Sequence, residues 1–183
     1  MKIFTAGHST NTKAQFLKVL EAADIDFVAD VRAFPYSRKH PQFNGEEMKK
    51  WLQEAGVGYD HFPLLGGRRS TASNVGSNLN NGWDNVSFHN YADYTLTEDF
   101  HTGIEMLAHK AASYNVVCVC SERHPARCHR LIISNWLAAH DWTVQHIINN
   151  SKNEPELVDH ILGRWGAMPI IEEDGTVVYP EIV

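Results

Sequence analysis

The stretch that decides the fold reads NVVCVC (115–120), SERHPARCHR (121–130) and LIISNWLAAH (131–140). After Asn115 its first segment is apolar at every position, which is typical of a β-strand covered on both faces of a sheet. Its last segment continues as a helix. Between them, residues 120 to 130 hold two cysteines, two histidines, three arginines and one glutamate. The order predicts a buried strand, a loop of reactive side chains and a helix.

Strand-like and helical segments alternate along the rest of the chain. Further strands are predicted at residues 2–7, 27–34, 56–63 and 143–149. Apolar residues at helical spacing predict helices at residues 10–25, 46–56, 97–114 and 127–140. This alternation predicts an α/β fold of three layers, a mostly parallel, Rossmann-like sheet of about five strands with helices on both faces.

Two other segments complete this outline. The C-terminal part predicts a helix at 154–165, with Pro155 in its first turn, and a short hairpin that turns at Asp174-Gly175. The Gly-, Asn- and Ser-rich segment 64–90 shows no periodicity and is predicted to be a long loop. The chain is therefore expected to form one domain over 1–183, with a core over about 1–150 and a C-terminal appendage over 151–183.

Composition excludes several classes of protein. The 183 residues are 43% apolar, which suits a folded core, and the net charge of −6 argues against a general polycation for nucleic acid. The three cysteines cluster between 118 and 128 and do not resemble a disulfide framework. The N-terminus is too polar for a signal peptide, and no apolar run has the roughly 20 residues that span a bilayer. We expect a cytoplasmic protein with no membrane partner.

The arginines are concentrated in three loops that follow predicted strands. They are Arg32 and Arg38 after the second strand, Arg68 and Arg69 after the third, and Arg123, Arg127 and Arg130 after the fourth. In a parallel sheet these loops share one edge, where ligands bind in α/β proteins. Arginine suits phosphate and carboxylate because its planar fork donates hydrogen bonds in pairs. Pairing with nearby acids or plain solvation is the alternative, although residues 61–83 and 123–140 contain no Asp or Glu.

Three interpretations compete for the segment 120–130. A metal site built from Cys120, His124, Cys128 and His129 has no standard ligand spacing, so we predict no cofactor and do not favour a metal. Cys120 is a candidate nucleophile, because a helix N-terminus and arginines lower a thiol pKa, but such a cysteine is equally a core residue. The helix N-terminus with its arginines also forms a cradle for an anion, and this interpretation explains the most residues.

Four blocks of sequence resemble a known family. TAGHST (5–10), DVRAFPYSRKHPQF (30–43), YDHFPLLGG (59–67) and CVCSERHPARCHR (118–130) resemble, in order, the uncharacterised bacterial proteins called Domain of Unknown Function 488. The resemblance implies a compact α/β protein and extends over roughly residues 3 to 148, but it implies no reaction. The signature positions that it carries over are His8, Asp30, Arg32, Pro35, Ser37, Arg38, Pro41, Tyr59, His61, Gly66, Gly67, Cys120, Glu122, Cys128, His129 and Arg130.

The combined interpretation assigns candidate roles to these residues. The catalytic candidates are Asp30, Cys120, Glu122 and His129. The candidates for binding an anionic substrate are His8, Ser9, Arg32, Ser37, Arg38, Tyr59, His61, Arg68, Cys128 and Arg130. For Asp30 and Glu122 the alternative is structural ion pairing, and for His8 it is a structural hydrogen bond.

The sequence favours an enzyme of hydrolysis or group transfer over a redox enzyme, because it contains neither GxGxxG nor a CxxC pair. The expected substrate bears phosphate, such as a nucleotide or a nucleic acid. Phe34 and Tyr36, next to Arg38, are candidates for stacking on bases. A non-catalytic module that binds nucleotide or nucleic acid is one alternative, and a metal-dependent enzyme that uses the Cys/His cluster is another.

Overall fold

A computed structural model describes all residues from 1 to 183. Its strands are β1 (Lys2–Gly7), β2 (Phe27–Asp30), β3 (Gly58–His61), β4 (Val116–Cys120), β5 (Thr143–Asn149), β6 (Pro155–Asp159), β7 (Ile170–Ile171) and β8 (Val177–Val178). Its α-helices are α1 (Lys13–Glu21), α2 (Gly45–Glu54), α3 (Val86–Tyr94), α4 (Glu98–Ala111) and α5 (Arg130–Ala139). Short 3₁₀ turns lie at Pro41–Phe43, Pro63–Leu65 and Pro125–Arg127. None of the helices combines the length and the apolar character needed to cross a membrane.

Six strands form the main sheet in the order β3-β2-β4-β1-β5-β6. The first five strands are parallel to their neighbours, and β6 is antiparallel to β5. The prediction of an α/β fold with a mostly parallel sheet and a C-terminal hairpin is therefore confirmed. The sheet has one more strand than the roughly five predicted.

The sixth strand corrects the predicted last helix over residues 154–165. Residues Pro155–Asp159 instead pair with β5, for example Ile148 with Glu156. Proline is tolerated here because it is the first residue of an edge strand, where its missing N–H costs little. Gly163 and Trp165 then adopt positive φ angles of 75° and 72°, which end any helical run. Pairing with the open edge of β5 outweighs the local preference for helix.

The predicted loop over 64–90 is wrong at its C-terminal end, where α3 begins. Asn85 caps this helix by accepting a hydrogen bond from the backbone N–H of Phe88 at 3.2 Å. The five residues Asn90–Tyr94 are all buried, so the second half of the helix has no solvent-exposed face. A helix buried on several sides lacks the amphipathic period by which sequence reveals a surface helix.

The two faces of the main sheet carry separate apolar clusters. One face packs on α1 and α2, through residues such as Phe16 and Trp51. The other face packs on α3, α4 and α5, through residues such as Phe100 and Leu131. Because side chains alternate along a strand, Val117 and Val119 of β4 join the first cluster while Val116, Cys118 and Cys120 join the second. This explains why 115–120 is apolar at nearly every position.

The C-terminal hairpin also contributes to the core. Strands β7 and β8 are antiparallel, and Gly175 at their turn has a φ of 88°. Val177 and Tyr179, which follow the turn, are almost fully buried and belong to the cluster around α3, α4 and α5.

The chain leaves the sheet in opposite directions after its two central strands. The helix that follows β1 packs on one face, and the helix that follows β4 packs on the other. The neighbouring carboxyl ends of β1 and β4 therefore form a topological switch point. A crevice opens there in doubly wound sheets.

A chain of buried polar groups runs beneath this edge of the sheet. Thr5 donates to Nδ1 of His146 at 2.6 Å, and Nε2 of His146 donates to Nδ1 of His160 at 3.0 Å. Burial, followed by the neighbouring His160, lowers the pKa of His146 to about 2. His146 therefore stays neutral in the folded protein over the pH range in which the same residue becomes protonated in the unfolded chain.

We expect the free energy of unfolding to fall as pH drops from 7 to 5, because unfolded His146 gains a proton that the folded residue excludes. The contribution of this residue approaches about 1.4 kcal/mol per pH unit below pH ~6.5. His146→Gln should flatten the profile by that slope in urea unfolding at several pH values. The exposed His109→Gln is the matched control and should keep the wild-type slope. An unchanged slope in His146→Gln would contradict the assignment.

Candidate functional site

A pocket of about 520 Å³ lies at the carboxyl edge of the sheet, over the ends of β1, β2 and β4. Three arginine-bearing loops that are distant in sequence meet there, as the parallel order predicts. The predicted candidates that line it are His8, Arg32, Ser37, Arg68, Cys120, Glu122, Cys128 and His129. The pocket is also lined by Phe34 and Tyr36, which were predicted to stack on bases, by Arg127 of the arginine-bearing loops and by the signature position Gly67. The lining residues that the sequence did not single out are Ala33, Ser87, Phe88 and Ser121. Ser87 and Phe88 belong to α3, a helix that the sequence pattern did not predict.

Asp30 and Arg32 form a buried ion pair, in which Arg32 reaches the pocket wall and Asp30 lies behind it. Arg32 donates to both carboxylate oxygens of Asp30, at 2.9 Å and 2.7 Å, and also to the carbonyl oxygen of Phe43. The Tyr59 hydroxyl donates to the same carboxylate at 2.6 Å. Burial alone lowers the pKa of Arg32, but the ion pair with Asp30 raises it above its ordinary value. Burial and the Asp30 charge raise the pKa of Tyr59, so its hydroxyl stays a donor.

These contacts favour a structural role for several predicted site residues. Asp30 is 0% exposed and both its oxygens are occupied, so its geometry matches the ion-pairing alternative rather than a general base. Tyr59 lies behind the pocket, on Asp30. A ring nitrogen of His61 lies 2.7 Å from the carbonyl oxygen of Arg32, so His61 supports the loop and does not line the pocket.

His8 lies in the pocket wall and is held in one orientation. Its ring stacks on Phe43 with centroids 4.4 Å apart, and Nδ1 donates to the carbonyl oxygen of Ser9 at 2.9 Å. Nε2 therefore accepts from Arg32 at 3.3 Å. Burial, and to a lesser extent the charge of Arg32, lower the pKa of His8 to about 4. A neutral His8 positions Arg32 and presents no proton for general acid catalysis near neutral pH.

Arg130 occupies a different place from the one predicted. It is fully buried and does not line the pocket. Its guanidinium donates to the Thr5 hydroxyl at 3.0 Å and to the carbonyl oxygen of Glu122, and no carboxylate pairs with it. The anion-holding role predicted for Arg130 is therefore replaced by a role in fastening the 121–130 loop to β1.

Gly7 makes this attachment sterically feasible. A Cβ atom at this position would lie 1.7 Å from the carbonyl oxygen of Glu122, so the loop crosses directly over the end of β1. Beyond it, the backbone N–H groups of His8 and Ser9 donate to the carbonyl oxygens of Cys120 and Ser121, each at 2.9 Å. The two strand ends stay paired until the chain diverges.

The pocket floor is a cluster of Cys120, Cys128 and His129. Nδ1 of His129 lies 3.6 Å from Sγ of Cys128 and 3.9 Å from Sγ of Cys120. Nε2 of His129 donates to the carbonyl oxygen of Val31 at 2.8 Å, which leaves Nδ1 as an acceptor facing the sulfur atoms. All three side chains are less than 10% exposed.

The two thiols of this cluster differ in acidity. Burial raises the pKa of the Cys128 thiol, but the neighbouring Cys120 thiol and the charge of Arg130 lower it to about 6. The interaction with Cys128, together with burial, raises the pKa of Cys120 to about 12. The sequence suggested Cys120 as the reactive thiol, whereas the lowered pKa and the hydrogen bond from the backbone N–H of Arg130 to Sγ at 3.5 Å favour the thiolate form at Cys128.

The rim of the pocket carries exposed cations and aromatic rings. Arg68 and Arg127 are exposed, and the Arg68 guanidinium lies 5.5 Å from the ring centroid of Phe34. Phe34 and Tyr36 are each 66% exposed. A second, polar groove shares His8, Ser37 and Ser121 with the pocket and adds Ser9, Thr10, Arg38, Lys39 and His40.

Fold and site together define an α/β protein with a polar pocket at the switch point of a doubly wound sheet. The family model "Domain of unknown function DUF488" matches residues 12–137, and the chain belongs to this family. The matched range contains the Asp30–Arg32 pair and the Cys120–Cys128–His129 cluster. A comparison with curated proteins found no match, and a comparison with solved structures also found none.

Asp30→Asn should lower the free energy of unfolding by about 3–5 kcal/mol, because it leaves the buried charge of Arg32 without its carboxylate. Asp60→Asn is the matched control, since Asp60 pairs with Lys110 at 3.4 Å on the surface. That change should cost less than about 1 kcal/mol. Equal losses in the two variants, measured by urea unfolding, would refute the structural role of Asp30.

Gly7→Ala should destabilise the protein by about 1–3 kcal/mol or more, because the new methyl group must displace the Glu122 backbone. The control is Gly76→Ala, where the nearest atom to a new Cβ is 3.7 Å away. Thermal unfolding of both variants tests the close approach. Wild-type stability in Gly7→Ala would show that the loop does not cross β1 at this distance.

Proposed function

We propose that this protein is an enzyme that hydrolyses a phosphate-bearing substrate or transfers a group from it, with a nucleotide or a nucleic acid as the preferred class. The observation that supports this most is the composition of the 520 Å³ pocket. Its rim carries two exposed arginines, and its floor carries a cluster of two thiols and an imidazole. Binding and reactive groups therefore face one space.

The charge of the pocket favours an anionic ligand. Its lining contains Arg32, Arg68 and Arg127 but only one carboxylate, that of Glu122. Asp30 neutralises Arg32, whereas Arg68 and Arg127 form no salt bridge. Their guanidinium groups are available to donate paired hydrogen bonds to phosphate oxygens. The excess positive charge is local, because the whole chain carries −6.

The aromatic rim favours a nucleotide over a bare phosphate. Phe34 and Tyr36 project into solvent at the pocket mouth, where a planar base can stack on them. Stacking of one base on an aromatic side chain contributes about 1–3 kcal/mol and tolerates every base. The Arg68 guanidinium lies 5.5 Å from the centroid of the Phe34 ring and could donate hydrogen bonds to a phosphate of a nucleotide that stacks at the rim.

Proton transfer falls to Glu122 in this proposal. Glu122 is exposed, and it is the carboxylate of the pocket lining. His8 and Asp30 are engaged in fixed hydrogen bonds, and Nε2 of His129 is bonded to Val31. An exposed carboxylate beside the bound substrate can accept a proton from an attacking group or water.

A second candidate is a binding module without chemistry. The polar groove next to the pocket adds Arg38 and Lys39 to the rim arginines, which suits the backbone of a single strand of nucleic acid. Binding by such a groove would depend steeply on salt and would proceed without turnover. Phosphate release from the same ligands would separate the enzyme from the module.

A thermal-shift screen with inorganic phosphate, ATP and a short oligothymidylate tests the pocket. A ligand that binds the folded state should raise the melting temperature by mass action. Because each guanidinium–phosphate hydrogen bond contributes about 1.5–3 kcal/mol, Arg127→Ala should weaken binding by roughly 10- to 100-fold. Arg68→Ala should act in the same direction.

Arg164→Ala is the control, because Arg164 is exposed outside the pocket, over the ring of Trp165. It should retain the wild-type shift. Equal affinity in wild type and an Arg68→Ala/Arg127→Ala double variant would remove these arginines from the site.

A further inference from the structure

We propose that Cys120, Cys128 and His129 bind one Zn²⁺ ion through their two sulfur atoms and Nδ1, with the fourth coordination position open to the pocket. These three ligand atoms lie within 4.8 Å of one another, and all three residues are buried. Each of them also lines the 520 Å³ pocket. Three protein ligands with an open position are typical of catalytic zinc sites, including sites with two cysteines and one histidine.

The distances suit tetrahedral coordination. Zinc–sulfur bonds of ~2.3 Å and zinc–nitrogen bonds of ~2.0–2.1 Å at tetrahedral angles place sulfur and nitrogen about 3.6 Å apart. The corresponding distances here are 3.6 Å from Nδ1 to Cys128 and 3.9 Å from Nδ1 to Cys120. Both sulfur–nitrogen distances therefore fit a shared ion, and the two sulfur atoms lie within 4.8 Å of each other, so side-chain adjustments would complete the coordination.

The surroundings of the three residues fix their orientation, as hydrogen bonds to metal-binding side chains do in metal sites. The hydrogen bond from Nε2 of His129 to the Val31 carbonyl oxygen selects the tautomer whose Nδ1 lone pair points at the sulfur atoms. A Cβ atom at Gly67 would lie 2.4 Å from that nitrogen, so the glycine keeps space beside it. The backbone N–H of Arg130 donates to Sγ of Cys128 at 3.5 Å, a contact that stabilises a coordinating thiolate.

Local backbone geometry brings adjacent residues to one point. Cys128 is extended (φ −142°, ψ 149°) and His129 is helical (φ −59°, ψ −14°), so the change of direction between them lets both side chains reach the same space. The turn Pro125–Arg127 returns the chain to the end of β4, where Cys120 lies.

Cys118 provides a comparison for the two cysteines of the cluster. It lies two residues before Cys120 and belongs to the same apolar cluster, yet it is outside the group of converging donors. Thiolate and imidazole ligands favour zinc over the oxygen-seeking magnesium and calcium ions. The buried guanidinium of Arg130, which has no carboxylate partner, adds positive charge that balances anionic ligands nearby.

The catalytic use of the ion rests on the proposed function, whereas its binding does not. A zinc ion at this place could polarise a phosphate oxygen held by Arg68 and Arg127, or hold a water molecule in the pocket. Glu122 lines the same space and would accept a proton from such a water.

The direct test uses the full-length protein, stripped with a chelator under reducing conditions and then dialysed with Zn²⁺. Elemental analysis should find about one zinc per chain. Co²⁺ in place of Zn²⁺ should produce a thiolate charge-transfer band and the strong visible bands of tetrahedral cobalt. Both measurements are made on wild type without any substrate.

Ligand variants then locate the ion. Cys120→Ser, Cys128→Ser and His129→Gln should each weaken Zn²⁺ binding by more than about 100-fold, beyond the cost of losing a second-shell partner. Cys118→Ser is the matched control and should bind like wild type. Circular dichroism identifies any variant that does not fold, and the cobalt spectrum of wild type tests the site independently of them.

Three results would overturn the inference: no stoichiometric zinc in wild type, cobalt spectra without thiolate ligation, or wild-type affinity in folded Cys128→Ser. Stoichiometric zinc with the variant pattern above, but no shift with any phosphate compound, would refute the proposed function and leave the metal site standing. Turnover of a phosphate compound by metal-free protein would support the proposed function and refute a catalytic use of the ion, while the elemental and cobalt measurements alone decide whether the ion binds.

Discussion

The parallel pairing of β1 with β4 is the constraint on which the rest of the structure depends. Gly7 pairs with Cys120 at the ends of these strands, and the pairing continues through the backbone N–H groups of His8 and Ser9. The following segments then turn to opposite faces of the sheet. The crevice between them is the candidate site, so the geometry of two adjacent strand ends decides where reactive side chains can meet.

Much of this arrangement could be predicted from the sequence because strands and helices alternate with clear apolar periods. The position of the site followed from one rule about parallel sheets, applied to residues such as Asp30 and Cys120 that end strands. The failures have a tertiary cause. Residues Pro155–Asp159 become a strand because β5 offers an edge to pair with, and α3 shows no period because its second half is buried all round. Neither cause is visible in a local window of sequence.

Prediction from the sequence is limited in the same way for the individual arginine side chains. Their concentration in three loops correctly indicated one edge of the sheet, but depth divides them into two groups. Arg32 and Arg130 are buried and engaged by Asp30, Thr5 and backbone carbonyl oxygens, whereas Arg68 and Arg127 remain exposed at the pocket rim. The sequence does not distinguish a buried arginine from an exposed one, because the burial of the side chain is set by the paths of neighbouring loops.

Arg130 links the architecture of the site to its chemistry. Its guanidinium fastens the Glu122 backbone over Gly7, and through Thr5 it continues the hydrogen-bonded chain to His146. The same charge lowers the pKa of Cys128, and no carboxylate competes for it. A buried cation is costly unless an anion lies near it. A thiolate at Cys128, which accepts a hydrogen bond from the backbone N–H of Arg130 at 3.5 Å, would supply such an anion, so the residue that holds the loop in place also favours the ionised form of this thiol.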